Sequence, residues 1–221
     1  MYKKVFITGC AKSGTTLLWQ LCYAFKDVYV YDEDSESSLE AFLRYSYKGS
    51  GSYVIAKRNA RTIFSNEERG KFKSKQQYKL IKDNRILIIN IVRDGRDVVV
   101  SGKRTSLSKD MYVNPMRWIA SMKHRRKYKD IISCEIKYED LVAEPEMVQN
   151  KISRDMGWEI KHSFLDFPNF VPNKAFKYSN NRTKPSIVRS LVGKNKEAYK
   201  KICGKYLYEF EKELKLSGYM N

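Results

Sequence analysis

Residues 5–16 read VFITGCAKSGTT, an apolar run followed by a loop with two glycines and the start of a helical pattern. The run from Val5 to Thr8 predicts a short buried strand, and a helix is predicted from Thr15 to about Phe25. A strand, a glycine-containing loop and a helix in this order are typical of phosphate binding. Backbone N–H groups and the N-terminus of the helix then point at the anion.

The spacing of Gly9 and Gly14 matches the loop of nucleotide-hydrolysing proteins, G-x-x-x-x-G-K-[ST]. The lysine of that motif is absent, because position 15 is threonine and the nearby lysine stands at position 12. This displacement argues against ATP chemistry. A strand-to-helix turn that requires only glycine is the alternative. We expect five loop residues to surround the anion: Lys12, Ser13, Gly14, Thr15 and Thr16.

Strands and helices alternate along the rest of the chain. The segment 85–92 is the most apolar, which suits a parallel strand covered on both faces. We expect an α/β fold with a three-layer, mostly parallel sheet flanked by helices, similar to P-loop NTPases, in one domain over residues 1–221. Further strands are predicted at 28–31, 52–56 and 131–137, and helices within 63–82, from Asn114, over 144–156 and from about 195.

A second motif, RDGRDVVVS at residues 93–101, follows the most apolar strand. Arg93 stands at the end of that strand, and Ser101 comes eight residues later on a predicted helix. A guanidinium group offers a planar fork of donors to a dianion, and the first turn of the helix faces the same anion. A surface ion pair between Arg93 and Asp94 is the alternative.

A third motif, YEDL at residues 138–141, follows the predicted strand that ends at Lys137. A core tyrosine followed by a helix cap is the alternative interpretation of this motif.

Together the three motifs resemble those of sulfotransferases that use 3′-phosphoadenosine 5′-phosphosulfate (PAPS) as donor. In that family, a loop similar to KSGTT binds the 5′-phosphosulfate, and an arginine and a serine spaced like Arg93 and Ser101 hold the 3′-phosphate. The tyrosine corresponding to Tyr138 lies near the adenine. The family's basic C-terminal segment makes Lys184 and Arg189 further candidates for nucleotide binding.

The resemblance implies transfer of a sulfuryl group to an acceptor hydroxyl of a carbohydrate, a tyrosyl residue or a small molecule. The product nucleotide would be 3′,5′-adenosine bisphosphate (PAP), and no metal would be required. One branch of the family uses a histidine as base after a Lys-Thr pair. The comparable stretch here is Lys57-Arg58-Asn59, in which Asn59 cannot accept a proton.

The tyrosylprotein and heparan sulfotransferases instead use a glutamate just after the second strand, and this branch is the closest in motif. The corresponding residue is Glu33, which would be ionised at neutral pH. Asp32 and Asp34 are alternatives, and an exposed acidic loop is the other interpretation. The expected catalytic residues are Lys12, Glu33 and Lys57, with the lysines balancing the charge of the transferring group.

The formal net charge is +18, which attracts polyanions. An anionic acceptor, such as a glycan or acidic peptide, would account for part of this charge, as would the anionic donor. We do not expect nucleic acid as a partner, because the basic residues are spread along the whole chain. A P-loop kinase and a basic nucleic-acid-binding protein remain the alternative functions.

No apolar run approaches the ~20 residues that a membrane span requires. The apolar run after the basic N-terminus is too short for a signal peptide, so we expect a soluble, cytoplasmic protein. The four cysteines form no CxxC pair, and disulfides are not expected in a reducing compartment.

Overall fold

Five parallel strands form one sheet, in the order β2-β3-β1-β4-β5, within the residues that the structure describes. The structure is a computed structural model that describes residues 2–31, 39–57, 74–103, 113–178 and 197–220. The strands are β1 (Lys3–Thr8), β2 (Val28–Val30), β3 (Tyr53–Lys57), β4 (Leu87–Val92) and β5 (Cys134–Lys137).

Helices connect these strands and cover both faces of the sheet. Val5 and Ile7 of β1 pack in one core cluster with Leu18 of the first helix, whereas Phe6 packs in another cluster. This alternation confirms the three-layer α/β fold that the sequence predicts. The helices are α1 (Thr15–Leu21), α2 (Leu39–Arg44), α3 (Ser74–Asp83), α4 (Gly95–Lys103), α5 (Pro115–Lys127), α6 (Tyr138–Ala143), α7 (Pro145–Met156), α8 (Ala198–Cys203) and α9 (Leu207–Leu216).

Local signals end and begin several of these helices as predicted. Gly157 ends α7 with a left-handed φ of 69°. Asn114 caps α5, because its side chain accepts a hydrogen bond from the backbone N–H of Arg117 at 2.8 Å, and Pro115 follows it.

Two predictions about these elements are wrong, one about the start of a strand and one about the continuity of a helix. The strand expected from Ile131 begins only at Cys134, because Lys129–Ile131 forms a 3₁₀ turn. The C-terminal helix is broken in two at Gly204, which has a φ of 48° that a continuous helix does not allow.

The order of the strands fixes where a ligand can bind. β1 pairs with β3 on one side and with β4 on the other, so the connections leave β1 and β4 in opposite directions. A crevice forms outside the carboxyl ends of the strands at such a reversal. The loop after Thr8 and the chain after Val92 therefore meet at one edge of the sheet.

Candidate active site

The loop after β1 folds tightly over the end of β4. A Cβ atom on Gly9 would lie 2.4 Å from the carbonyl oxygen of Ile91, so only glycine fits there. Lys12 and Gly14 have left-handed φ angles of 68° and 93°. The N–H of Ser13 donates to the carbonyl of Cys10 at 3.1 Å, which closes a turn inside the loop. The backbone is thus bent as a phosphate-binding loop requires.

Two lysines contribute positive charge at this loop. Lys57 ends β3, is only 5% exposed, and donates from Nζ to Oγ1 of Thr16 at 2.8 Å. Burial lowers the pKa of Lys12 below its ordinary value. Two ammonium groups beside the loop create a positive potential, which favours an anionic ligand there.

Arg93 connects the loop to the third motif. Its Nη1 donates to the carbonyl oxygen of Lys12 at 3.0 Å, and its guanidinium carbon lies 4.2 Å from the centre of the Tyr138 ring. Only 7% of Arg93 is exposed. The three motifs, separate in the sequence, therefore meet at one place.

Tyr138 also packs directly on the loop. A Cβ atom on Gly14 would lie 2.5 Å from Cδ2 of Tyr138, so the absence of a side chain at position 14 lets the ring approach the backbone. Loop, guanidinium and aromatic ring form one continuous surface. Such a surface offers donors to phosphate beside a flat apolar face.

Two buried polar atoms of this surface have no hydrogen-bond partner among the described residues. They are Oγ of Ser13 and Nε of Arg93. Buried polar side-chain atoms are nearly always hydrogen-bonded, and both of these atoms can donate. An anion with several acceptor oxygens at this surface would satisfy them.

The alternative ion pair between Arg93 and Asp94 does not form, because the Asp94 carboxylate pairs with Arg96. Nε of Arg96 lies 3.0 Å from both Asp94 oxygens, and its Nη2 donates to the carbonyl of Tyr219 at 2.7 Å. Asp94 therefore orients Arg96, which binds the Tyr219 carbonyl, while the guanidinium of Arg93 contacts the loop.

Two residues missed by the sequence interpretation hold the backbone around Arg93. Nε1 of Trp118 donates to the Arg93 carbonyl at 3.1 Å, and Oε1 of Glu139 accepts the N–H of Asp94 at 2.9 Å. Burial raises the pKa of Glu139. Glu139 stands in the YEDL motif, which was a usable signal, whereas nothing in the sequence around Trp118 indicates its contact.

The other predicted site residues are distributed as follows. Thr15 is buried at the start of α1. Ser101 lies in α4, about 9 Å along the helix axis from its first residue, Gly95. Three predicted residues lie outside the described residues: Glu33, Lys184 and Arg189.

Both histidines have structural surroundings. His124 is buried in α5, and His162 stacks on Phe170 with ring centres 5.5 Å apart. Within the described ranges, no group of three or more His, Cys, Asp and Glu side chains could hold a metal ion. No helix in those ranges is both long and apolar enough to cross a membrane.

The fold and the loop define a protein of the P-loop NTPase-like class, with the usual ATPase lysine replaced. The family model for the sulfotransferase domain matches residues 2–215, so the chain belongs to the sulfotransferase domain family. It is therefore a transferase enzyme of the sulfotransferase class. No curated protein sequence matches the chain.

Solved structures support the same fold. The sulfotransferase domain from the curacin biosynthetic pathway aligns at a TM-score of 0.59 and 14% identity, covering 99% of this chain and 98% of that chain. Mouse sulfotransferase SULT7A1 complexed with PAP aligns at a TM-score of 0.56 and 16% identity, covering 96% of this chain and 83% of that chain. Retinol dehydratase in a complex with retinol and PAP aligns at a TM-score of 0.57 and 12% identity, covering 96% of this chain and 81% of that chain.

Substitution of Gly14 by alanine should destabilise the fold through contact with Tyr138. Gly14→Ala combines a left-handed φ with a clash against the ring, so we expect a loss of about 2–3 kcal/mol in the free energy of unfolding. The measurement is urea unfolding. Gly157→Ala is the control, because its φ is also left-handed but no heavy atom lies within 4 Å of the added Cβ, and it should cost only about 1 kcal/mol.

A double variant tests whether contact with the Tyr138 ring causes this loss of stability. In a Tyr138→Ala background, the cost of Gly14→Ala should fall to that of Gly157→Ala. An unchanged cost in that background would mean that the ring does not press on the loop.

Proposed function

We propose that this chain transfers the sulfuryl group of PAPS to an acceptor hydroxyl and releases PAP, with residues 1–221 acting as one sulfotransferase domain. The observation that carries the proposal is the position of Arg93. Its guanidinium lies between the Lys12 carbonyl and the Tyr138 ring, where one nucleotide can contact all three motifs. Two solved structures of this fold are complexes with PAP, which agrees with the proposal.

The donor is assigned to residues by the chemistry of its groups. The loop, with Lys12 and the hydroxyls beside it, would hold the 5′-phosphosulfate, because N–H and O–H donors converge there. Arg93 and Ser101 would hold the 3′-phosphate, and Tyr138 would lie beside the adenine. The unpartnered Ser13 Oγ and Arg93 Nε fit this assignment, because phosphate oxygens would accept from both. We also assign Lys184 and Arg189 to nucleotide binding.

The proposed reaction is an in-line substitution at sulfur. Glu33 accepts the proton of the acceptor hydroxyl while the acceptor oxygen bonds to sulfur. The bond between sulfur and the 5′-phosphate oxygen breaks, and its electron pair stays on PAP. Lys12 stabilises the charge that develops on that oxygen, and Lys57 balances the transferring group. No metal ion takes part in this step, and turnover in the presence of EDTA is the check.

The acceptor belongs to the carbohydrates, tyrosyl groups or small molecules that carry a free hydroxyl. A glutamate base would agree with the resemblance in motif to the tyrosylprotein and heparan sulfotransferases. The net charge of +18 favours an anionic acceptor over a neutral one. A screen of labelled sulfuryl transfer to carbohydrates, phenols and tyrosyl peptides would identify it.

We propose a cytoplasmic location as well. The four cysteines, at positions 10, 22, 134 and 203, are all free thiols and all buried. Free thiols are usual in a reducing compartment. Fractionation of cells that express the full chain would test this location.

Thermal shift separates this function from the two alternatives. PAP should raise the melting temperature, because a ligand that binds only the folded state stabilises it, whereas ATP with Mg²⁺ should have little effect. Stabilisation by ATP with Mg²⁺ alone would favour a small-molecule or nucleotide kinase. Steeply salt-dependent binding to generic DNA or RNA, without a response to PAP, would favour a nucleic-acid-binding protein.

Arg93→Ala should weaken PAP binding roughly tenfold to a hundredfold, because it removes charged hydrogen bonds to the 3′-phosphate. Calorimetric titration with PAP measures this effect. Arg154→Ala is the matched control, since it removes the same charge from an exposed position on α7. Equal affinities for the two variants would refute the 3′-phosphate assignment.

Glu33→Gln should lower kcat by about 10²–10⁴-fold while PAP affinity stays unchanged, because the variant keeps the shape of the side chain but cannot accept a proton. Steady-state sulfuryl transfer and calorimetry measure the two quantities. Asp32→Asn and Asp34→Asn are the controls and should retain most activity. If one of them loses activity instead, that aspartate is the base, and full turnover by Glu33→Gln would exclude Glu33.

A further inference from the structure

We propose that Trp19 is a positioning residue for sulfuryl transfer, one that holds the Lys57 ammonium and the chain leaving β2 in a fixed relation to the donor loop. The inference rests on the proposed function, because Lys57 and Glu33 have their roles only in that reaction. Trp19 itself contacts neither the donor nor the acceptor in this proposal. It acts through Lys57 and Tyr31.

The indole of Trp19 is buried between the loop helix and the end of the sheet. Only 1% of the residue is exposed, and it lies one turn after Thr16 on α1. Its ring centre is 5.7 Å from Nζ of Lys57, and its Nε1 donates to the carbonyl oxygen of Tyr31 at 3.2 Å. One side chain therefore contacts a proposed catalytic lysine and the end of a neighbouring strand.

Lys57 lies between two residues of the same helix. Thr16 and Trp19 are three positions apart, so their side chains lie on the same side of α1. Thr16 accepts a hydrogen bond from the ammonium group through Oγ1, and Trp19 presents its aromatic ring to the same group. Because a buried cation requires both hydrogen bonding and favourable electrostatics, the two contacts fix where the ammonium stands relative to the loop.

The backbone of Tyr31 is bound through both its N–H and its carbonyl group. Its N–H donates to the carbonyl of Ile55 on β3 at 2.8 Å, which continues the pairing of the strands. Its carbonyl oxygen accepts the Trp19 indole N–H. Because Tyr31 is bound to β3 through its N–H and to Trp19 through its carbonyl, Trp19 fixes the position of Tyr31 relative to α1.

A second buried tryptophan, Trp158, packs in the core without a hydrogen bond from its indole N–H to any described residue. Trp158 is 3% exposed in the same core cluster and packs on Phe25 and Tyr53, with ring centres 5.2 and 5.5 Å apart. Its Nε1 has no hydrogen-bond partner among the described residues. Trp158→Phe therefore removes bulk without breaking a described hydrogen bond, and it is a matched control for Trp19→Phe.

The experiment compares Trp19→Phe with Trp158→Phe. For each variant, kcat and the KM for PAPS are measured with the best acceptor from the screen of carbohydrates, phenols and tyrosyl peptides, and the PAP Kd is measured by calorimetry. We expect Trp19→Phe to lower kcat roughly threefold to tenfold, because one hydrogen bond is lost, with PAPS KM and PAP Kd within about twofold of wild type. Trp158→Phe should leave all three within about twofold of wild type.

The two variants separate positioning from stability. Equal kcat values for Trp19→Phe and Trp158→Phe overturn the inference. A loss of PAP affinity as large as the loss of kcat also overturns it, because that result indicates general damage to the loop. If Trp19→Phe fails to fold, β-(3-benzothienyl)alanine at position 19 keeps the bicyclic shape without the N–H, and the same comparison applies.

The same experiment distinguishes this inference from the proposed function. A wild-type chain that transfers no sulfuryl group from PAPS to any acceptor overturns both. A wild-type chain that is active, together with a Trp19→Phe variant of equal kcat, overturns the role of Trp19 alone.

Discussion

The hydrogen bond from Arg93 to the carbonyl of Lys12 is the interaction on which the site depends. It joins the end of β4 to the loop after β1, and it orients the guanidinium face toward Tyr138. The left-handed conformation of Lys12 directs that carbonyl toward the arginine. Without this contact, the two strand ends would still be neighbours in the sheet, but the guanidinium would not be held between the loop and the Tyr138 ring.

Around this contact, two buried indoles hold the backbone from opposite sides. Trp118 donates to the carbonyl of Arg93, and Trp19 donates to the carbonyl of Tyr31. Each tryptophan lies on a helix and binds the carbonyl of a residue just beyond the end of a strand. A buried carbonyl left unpaired would be costly, so each indole N–H contributes to holding its strand end in place.

Much of the fold could be predicted from the sequence because its signals are local. The apolar run of β4, the glycines of the loop and the Asn114-Pro115 start of α5 act within a few residues of themselves. The confirmed three-layer sheet follows from such signals. The break at Gly204 and the late start of β5 were missed, because an apolar stripe and an apolar run continue across a positive-φ glycine and a 3₁₀ turn that they do not reveal.

The site was less predictable than the fold. The motifs predicted a site at Arg93 and the loop, but the partners of Trp19 and Trp118 lie 12 and 25 residues away in the sequence. No spacing rule connects an indole to a distant carbonyl, so only the tertiary structure shows these contacts. The roles of all the predicted site residues stay predictions, including those of Glu33, Lys184 and Arg189.

The wide separation of the site residues links ligand binding to folding. Lys12 and Arg93 are 81 residues apart, and Tyr138 comes 45 residues later still. Closing such long loops costs entropy that is recovered only when the sheet has assembled, so no short fragment of the chain contains these three residues. A nucleotide at a hundred times its Kd would add about 2.7 kcal/mol to the stability of the folded chain. The cellular level of the donor would then govern how much of this enzyme survives proteolysis as well as how fast it works.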